Sequence, residues 1–362
     1  MTNRRGFIAG LAAAASLAPV PAWASVGAPS FLAAALFPDG SYRLSGLDQA
    51  GVILFSIPLP ARGHAAAAHP FKAQAVAFAR RPGTFAIVID CQSGTIIRPL
   101  EAPKGRHFYG HGTFSADGTR FFTTENDYEA AEGVIGVWDA VSFKRLGEFS
   151  SGGTGPHDMQ LLPDGNTLVI ANGGIETHPD TGRTKLNLPT MQPNLSYIDL
   201  SGSIRAQVEL PPALRKNSIR HLAVRGDGLV GFAMQWQGGL TEYPPLLGLH
   251  ALGKDPLLLS APEADQSTLQ GYAGSIAFSA DGQSIAITCP RGDALHRFDV
   301  SSGAFAEAFA LKDVCGLGSG SKGLVFTTGT GAFGALDPAG AEISARSDCQ
   351  WDNHLIPIRS FG

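Results

Sequence analysis

The sequence has little charge, little cysteine and, beyond its first residues, no long apolar run. Charged residues make up 16% of the 362-residue chain, which is too few for a charge-rich disordered protein. Lys and Arg (27) are slightly outnumbered by Asp and Glu (31) and form no basic stripe, so nucleic acid is not expected as a partner. After the N-terminal segment no run reaches the roughly 18 apolar residues of a transmembrane helix, so no membrane span is expected in the mature protein.

Common catalytic and redox motifs are missing as well. The four cysteines are Cys91, Cys289, Cys315 and Cys349, and none stands in C-x-x-C or C-x-x-C-H spacing. Type-c haem attachment and thioredoxin-like chemistry are therefore not expected, and the three possible disulfide pairings stay open. A phosphate-binding loop, an H-E-x-x-H zinc motif and a G-x-S-x-G elbow are also absent.

Glycine (45) and proline (24) are abundant, which is typical of a turn-rich protein. One pattern recurs: an apolar strand that ends in Asp, a short turn that usually closes with Gly, and another strand. The Asp carboxylate can accept a backbone N–H in such a turn, and Gly supplies the positive φ. The Asp residues of this pattern are Asp48, Asp90, Asp139, Asp199, Asp299 and Asp337, with a weaker copy near Leu249-His250.

A second pattern lies two strands earlier in each unit. It has a polar start, an alternating strand and an Asp-Gly turn, as at Asp117-Gly118, Asp164-Gly165, Asp227-Gly228 and Asp281-Gly282. Each unit thus predicts four strands, A to D, and seven units of about 48 residues suit the blades of a propeller. Residues 31–59 supply only strands B, C and D, and residues 354–358 supply a lone strand A.

The two ends of the chain therefore complete one blade together, which closes the ring without a free sheet edge. We predict an all-β fold, a seven-bladed β-propeller, in a single domain of residues 25–362. Six or eight blades are the nearest alternatives.

The N-terminus carries an export signal. Residues 3–8 read Asn-Arg-Arg-Gly-Phe-Ile, a twin-arginine motif, and residues 7–18 are apolar and Ala-rich. Ala22-Trp23-Ala24 is an A-x-A cleavage site. We expect residues 1–24 to be a signal peptide and the protein to be periplasmic, exported folded by the twin-arginine route. An ordinary secretory signal with a chance arginine pair is the alternative.

Half of the ten histidines fall in one structural position. The first residue of strand A should lie at the mouth of the central channel, and in five units it is His: His64, His111, His157, His221 and His354. The other two units have Ser275 and Cys315-Gly316. Converging imidazoles suit Cu, Fe, Ni or Zn, and Cys315 would add a soft ligand. The alternative is that these histidines are structural, hydrogen-bonded within the blades or copied around the ring by repeat ancestry.

Further polar side chains belong to loops of the same face. Guanidinium groups match carboxylate or phosphate oxygens, so these loops favour a small anionic or metal-chelate ligand, although arginines of solvated loops would look the same. The expected ligand-binding residues of these loops are Arg80, Arg81, Arg106, Asn126, Asn172, Arg220, Gln235 and Arg291.

Residues 173–194 form the longest insertion, between strands B and C of the fourth blade. A loop of this length is usually functional or disordered, and its mixture of apolar and charged residues favours a lid. Glu176 and His178 are its expected contributions to the ligand site.

Several blocks also carry a family resemblance. They are Arg62-Gly63-His64, Ala-Arg-Arg-Pro-Gly-Thr-Phe at 79–85, Tyr109-Gly110-His111-Gly112, Gly155-Pro156-His157-Asp158, and Asn-Gly-Gly-Ile-Glu-Thr-His-Pro at 172–179. Across the mature chain these blocks resemble an uncharacterised bacterial family of twin-arginine-exported, quinoprotein-dehydrogenase-like seven-bladed propellers. That family is found beside imelysin-type iron-uptake proteins and an exported di-haem oxidoreductase. The resemblance implies a role in periplasmic iron acquisition, with iron-uptake or haem proteins as partners, and supplies no catalytic residues.

The chain is also similar, more distantly, to nitrous-oxide reductase, whose propeller carries a multi-histidine copper cluster. It departs from that enzyme because it has no cupredoxin-like domain and because two of its seven positions lack His.

Three hypotheses follow. The first is a periplasmic binding or accessory protein for iron or another metal such as copper. The second is a protein-interaction scaffold with structural histidines. The third is a metal-dependent periplasmic oxidoreductase with a haem protein as electron partner. Metal content separates the second hypothesis from the other two, and turnover with an electron acceptor separates the third from the first.

Overall fold

The computed structural model describes residues 22–80, 84–182, 184–321, 323–337 and 339–358. Within these ranges the strands form seven antiparallel sheets. The innermost strands of successive sheets contact one another in a ring, so the sheets are the blades of a propeller around a central channel. The predicted seven-bladed, all-β fold is confirmed.

We number the blades along the chain and letter the strands A to D from the channel outward. Blade 1 receives β1 (Phe31–Leu36), β2 (Tyr42–Leu47) and β3 (Ile53–Leu59) as strands B, C and D. Blade 2 consists of β4 (Gly63–Ala68), β5 (Gln74–Ala79), β6 (Ala86–Asp90) and β7 (Thr95–Leu100). Blade 3 consists of β8 (Arg106–Phe114), β9 (Arg120–Asp127), β10 (Glu132–Asp139) and β11 (Arg145–Ser150). Blade 4 consists of β12 (Pro156–Leu161), β13 (Thr167–Asn172), β14 (Asn194–Asp199) and β15 (Ile204–Glu209).

The remaining blades follow the same order. Blade 5 consists of β16 (Asn217–Val224), β17 (Val230–Trp236), β18 (Leu247–His250) and β19 (Leu257–Leu259). Blade 6 consists of β20 (Ser275–Phe278), β21 (Ser284–Cys289), β22 (Ala294–Asp299) and β23 (Phe305–Ala310). Blade 7 consists of β24 (Val314–Gly320), β25 (Gly323–Thr328), β26 (Ala332–Asp337) and β27 (Gly340–Arg346). The described helices are α1 (Glu263–Thr268) and the 3₁₀ segments Ala22–Val26, Pro179–Thr181, Pro212–Leu214 and Pro290–Gly292.

The two ends of the chain meet in blade 1. Strands β28 (Gln350–Trp351) and β29 (Ile356–Pro357) both pair antiparallel with β1. The sequence predicts that strand A of this blade begins at residue 354. In the structure the strand begins earlier, and it is interrupted. His354 lies in the break between the two short strands.

The Asp turns explain why the strands end where they do. In blade 1 the Asp48 carboxylate accepts the backbone N–H groups of Ala50 and Val52 at 2.8 and 2.9 Å, and Gly51 has φ +85°. In blade 3 the glycine is missing, and Phe143 adopts φ +52° instead. Local side-chain bonds of this kind fix the turn without help from the core.

The core is divided among the interfaces between blades. The described residues form seven buried hydrophobic clusters, and each draws on two adjacent blades. In one, Phe78 of blade 2 packs on Phe108 and Phe121 of blade 3. A fully buried Phe contributes about 1.5–3 kcal/mol, so these clusters hold the blades in fixed positions around the channel.

The N-terminal described segment packs on the propeller. Trp23 is 5% exposed, and its indole N–H donates to the carbonyl oxygen of His69 at 2.8 Å. The expected cleavage after residue 24 lies within this packed segment and stays a prediction, while the twin-arginine motif lies outside the described residues. No helix among the described residues is long and apolar enough to cross a membrane.

Candidate functional site

The channel histidines lie at irregularities of strand A. The register between strands A and B shifts at the histidine position in blades 2, 3, 4 and 5, and in blade 1 His354 follows the break described above. A bulge takes a side chain out of the ordinary alternation of a strand. The prediction that each histidine is the first residue of its strand A was wrong. His64 and His157 are second in β4 and β12, while His111 and His221 lie further along their strands because β8 and β16 begin earlier in the chain.

The five imidazoles from blades 1 to 5 meet in one compact group, which we call the histidine cluster. The ring centroid of His64 lies 4.5 Å from that of His354 and 5.0 Å from that of His111. The centroid of His221 lies 4.8 Å from those of His157 and His354. The circular arrangement of the blades thus brings together residues that are as much as 290 positions apart in the sequence (64 to 354).

His111 has a fixed orientation. Its Nδ1 lies 3.1 Å from Oδ1 of Asp158 on the neighbouring strand A. The other carboxylate oxygen of Asp158 accepts the backbone N–H of Leu222 at 2.9 Å. Burial by itself raises the pKa of the Asp158 carboxyl, but the His111 imidazole and the Leu222 N–H lower it below its ordinary value. A carboxylate at Nδ1 leaves Nε2 as the nitrogen that can bind a metal.

The other four imidazoles are held neutral. Burial, together with neighbouring imidazoles and arginines, lowers the pKa of His64, His157 and His354 well below the ordinary value of 6.5. Burial also lowers the pKa of His221, to about 3. Neutral imidazole keeps a lone pair on one ring nitrogen, which is the form that binds metals.

Several of these nitrogens have no hydrogen-bond partner. In the part of the chain that the structure describes, Nδ1 of His64, His157 and His221 and Nε2 of His354 are buried without one. A buried polar atom without a partner costs about 1–3 kcal/mol. Such atoms are rare in folded proteins and call for an explanation such as an ion.

The two blades without a channel histidine use the position differently. In blade 6 the Ser275 hydroxyl accepts the backbone N–H of Leu317 at 3.1 Å. In blade 7 a Cβ on Gly316 would lie 2.6 Å from Oγ1 of Thr327, which accepts the Gly316 N–H, so a side chain there would disturb this contact. The histidines therefore occupy one continuous arc of the channel wall.

Cys315 is not brought to the histidine cluster. Its Sγ lies 3.5 Å from the Thr327 hydroxyl and 3.6 Å from the Trp351 carbonyl oxygen, and burial raises the pKa of its thiol to about 12. A protonated thiol is a poor metal ligand. All four cysteines are free and buried, so none of the three disulfide pairings is formed.

A first cavity of about 200 Å³ adjoins the cluster on the face of the D–A and B–C loops. His64, His157 and His221 form its floor, and its cationic lining residues are Arg80, Lys185 and Arg220. No acidic residue among those that the structure describes lines it. Arg80 forms an ion pair with the buried Asp352. Burial lowers the pKa of Lys185, and Arg220 and Arg291 lower it further.

Of the loop residues predicted to bind a ligand, three line this cavity: Arg80, Arg220 and Gln235. Arg291 stacks over the ring of Tyr272, which lines the cavity, at 4.6 Å. Arg106 pairs instead with Asp127 and Glu148, and Asn172 bonds to Ser151, Asn194 and Ser196 inside blade 4. Arg81 lies outside the described residues.

The insertion of blade 4 reaches the cavity with residues other than those predicted. Ile175, Thr177 and Lys185 line the cavity, whereas His178 caps the 3₁₀ segment Pro179–Thr181 and borders a different depression. Glu176 contacts the insertion itself, since its backbone N–H donates to Asn187.

Thr177 anchors the insertion to blade 3 through two hydrogen bonds. The Thr177 hydroxyl lies 2.9 Å from that of Tyr109, and its carbonyl accepts from the Asn126 amide at 3.2 Å. Residues that line the first cavity but were not predicted from the sequence include Tyr109, Lys185, Tyr272 and Asn353. Of these, only Tyr109 had a signal in the sequence, which is its position two residues before His111.

Comparison with solved structures supports the fold. The chain is similar to the hydrazine synthase of Kuenenia stuttgartiensis, with a TM-score of 0.59 and 14% identity over 88% of this chain and 96% of that chain. At this identity the likeness concerns the fold alone. No curated protein matches the chain. A family model described as "Protein of unknown function (DUF1513)" matches residues 57–358, a range that contains the whole histidine cluster, and the chain belongs to that family.

Proposed function

We propose that this protein binds a transition-metal ion, iron or copper, with the histidine cluster of its channel. The observation that carries the proposal is the convergence of five imidazoles from five blades, four of them with a buried nitrogen that lacks a hydrogen-bond partner among the described residues. Imidazole binds Fe, Cu, Ni and Zn. A given site generally binds copper more tightly than zinc or iron, so each metal must be tested separately.

The spacing of the nitrogens supports this function. Nε2 of His64 and Nε2 of His111 lie 3.3 Å apart. Two nitrogens bound about 2.0–2.1 Å from a tetrahedral metal lie about 3.3 Å apart. The Asp158–His111 pair is the carboxylate–imidazole arrangement that orients metal ligands. At 3.3 Å the two nitrogens are also within hydrogen-bond distance of each other, and metal content separates a ligand pair from a hydrogen-bonded pair.

The first cavity favours an anionic ligand next to the metal. In the described part of the chain, three cationic side chains and no acidic one line it, and one of the three, Arg80, pairs with Asp352. Guanidinium and ammonium groups bind carboxylate or phosphate oxygens. We propose that the metal arrives as a small anionic chelate, which the cavity would hold while imidazoles replace its donor atoms. This role suits an accessory protein of periplasmic iron acquisition, with iron-uptake or haem proteins as partners.

Elemental analysis tests the metal. Protein exported by its own signal, purified without a polyhistidine tag or chelator, should carry close to one Fe or Cu per chain. The double variant His111→Ala/His157→Ala should lose it while keeping the far-ultraviolet spectrum of the fold. His69→Asn is the matched control, because His69 lies outside the cluster and its Nδ1 accepts turn N–H groups as an amide oxygen would. Metal retained in the folded double variant, or no Fe or Cu even after titration, would refute the proposal.

Export is tested separately. Arg4→Lys together with Arg5→Lys should leave the chain unprocessed in the cytoplasm if the twin-arginine route is used. Continued export of this variant would favour the general secretory route instead. N-terminal sequencing of the exported protein would also show whether Trp23 remains on the mature chain.

A further inference from the structure

The histidine cluster divides the channel into two compartments. The first cavity lies on one side, as described. A second cavity of about 580 Å³ lies on the other side and opens among the A–B turns of blades 4 to 7. Its histidine lining consists of His111, His221 and His354. The cluster can therefore exchange an ion with either end of the channel.

The ring nitrogens form two sets of three. One set is His64, His111 and His157, and the other is His111, His221 and His354; within each set the nitrogen atoms lie within 4.8 Å of one another. Two members of the first set, His64 and His157, border only the first cavity, and all members of the second set border the second cavity, where His221 borders both. His111 belongs to both sets and is the imidazole that Asp158 orients.

The size of a metal site favours one ion in either set over one ion bound by all five rings. Two nitrogens bound about 2.0–2.1 Å from one ion can be at most about 4.2 Å apart. A set whose nitrogen atoms lie within 4.8 Å of one another meets this limit after a small inward movement of the rings. Because both sets need His111, two ions would compete for its free nitrogen.

We propose that the histidine cluster offers two overlapping positions for one metal ion, one open to each end of the channel, and that the ion passes between them while it stays bound to His111. The proposal rests on the proposed function. The step is ligand exchange: bonds from the metal to His64 and His157 break as bonds to His221 and His354 form. No electron or proton is transferred.

The charges of the two ends give the passage a direction. Among the described residues, three cationic side chains and no acidic one line the first cavity. Arg80 pairs with Asp352, and the positive charge that remains suits entry of an anionic complex. The second cavity contains Asp158 and Asp281, and its one arginine, Arg225, pairs with Asp227 at 2.7 Å. That end suits a bare cation, so the ion would leave there without its chelating anion.

Co²⁺ titration of the metal-free protein tests the two positions, with visible absorption and elemental content as readouts. We expect one ion in the wild type. His64→Gln/His157→Gln and His221→Gln/His354→Gln should each still bind one ion, within about tenfold of the wild-type affinity, because each keeps one set intact. Their two spectra should differ, and the wild-type spectrum should be a weighted sum of them. His111→Gln should lower affinity at least about 100-fold, since it is a ligand in both sets.

The other outcomes overturn the proposal in distinguishable ways. Two ions in the wild type would mean two independent sites. Loss of binding in both double variants would mean a single site made by all five rings, and the proposed function would survive. No Co²⁺ uptake by the folded wild type, together with no uptake of Fe or Cu, would reject the proposed function itself. The His69→Asn variant should match the wild type in every measurement.

Discussion

The ten histidines form two groups of five that differ in what their rings contact. In the outer group each ring interacts with other residue types. The Nδ1 of His250 lies 2.6 Å from the Tyr197 hydroxyl, and its Nε2 lies 2.9 Å from a backbone carbonyl oxygen. His107 stacks between Tyr109 and Tyr128. In the channel group the rings chiefly contact one another.

This difference separates a structural role from a binding role. A structural histidine stabilises the fold through its partners, so its loss should destabilise the protein. A ligand histidine with a buried, unpartnered nitrogen costs stability until its ion arrives, which is the usual trade between stability and function. In the outer group His69 Nε2 and His296 Nδ1 are also buried without a partner among the described residues, so the contrast is sharpest between a channel histidine and His250, whose two ring nitrogens both have partners. The same substitution at these two positions should change stability in opposite directions.

The largest expected effect comes from comparing His250→Leu with His354→Leu in metal-free protein. His250→Leu should lower the free energy of unfolding by about 1–3 kcal/mol, because the buried Tyr197 hydroxyl loses its partner. His354→Leu should raise it by up to about 1 kcal/mol, because an apolar side chain of similar size replaces an unpartnered nitrogen. Urea denaturation measures both, and equal destabilisation by the two variants would mean that the channel histidines are structural.

Next in size is the effect of Asp158→Asn on metal affinity. Oδ1 of Asp158 faces Nδ1 of His111 and also accepts the backbone N–H of Met159 at 2.7 Å, while Oδ2 accepts the N–H of Leu222. An amide has one oxygen for these two positions, so in either orientation its NH₂ group would face a backbone N–H, which would weaken the contact that orients His111. We expect affinity to fall about 10–100-fold. Competition with a chelator measures this.

Asp164→Asn is the matched control for this variant. It makes the same change in the A–B turn of the same blade, where Asp164 accepts only turn donors. If both variants lowered affinity equally, Asp158 would not position His111.

The fold was predictable because its signals are local and repeated. Each Asp turn forms from neighbouring residues, as at Asp48, so a short stretch of sequence contains the whole signal. The convergence of the histidines was predictable for a related reason: rotation around the axis carries one repeat position to one place. The predicted start of strand A was wrong in places at the channel, for example in the last strand A, because bulges have no simple sequence signal.

The cavity lining was only partly predictable. Lys185 reaches the first cavity and His178 does not, because the path of the insertion depends on tertiary anchors such as the bond between Thr177 and Tyr109. Arg106 was misplaced for the same reason, since its partners Asp127 and Glu148 lie on other strands of the blade. Spacing in the sequence does not determine such contacts.

Measured over one pH unit, the smallest expected effect is the pH dependence of stability that His296 of the outer group contributes. Burial lowers the pKa of His296 to about 4, while in the unfolded chain it keeps the ordinary value of 6.5. As pH falls below 6.5 the unfolded chain binds a proton that the folded chain refuses, so stability declines until pH 4 and no further below it. One such histidine contributes up to about 1.4 kcal/mol per pH unit.

His296→Gln should reduce the slope of stability against pH between 6.5 and 4 by up to that amount, and should keep a partner for the Thr268 hydroxyl, which lies 3.2 Å from the His296 ring. Urea denaturation of metal-free protein at several pH values measures the slope. An unchanged slope would mean that His296 takes up its proton in the folded state. The pH response would then come from other groups, and protonation would separate His296 from the channel histidines His64, His157, His221 and His354, whose pKa values burial lowers as well.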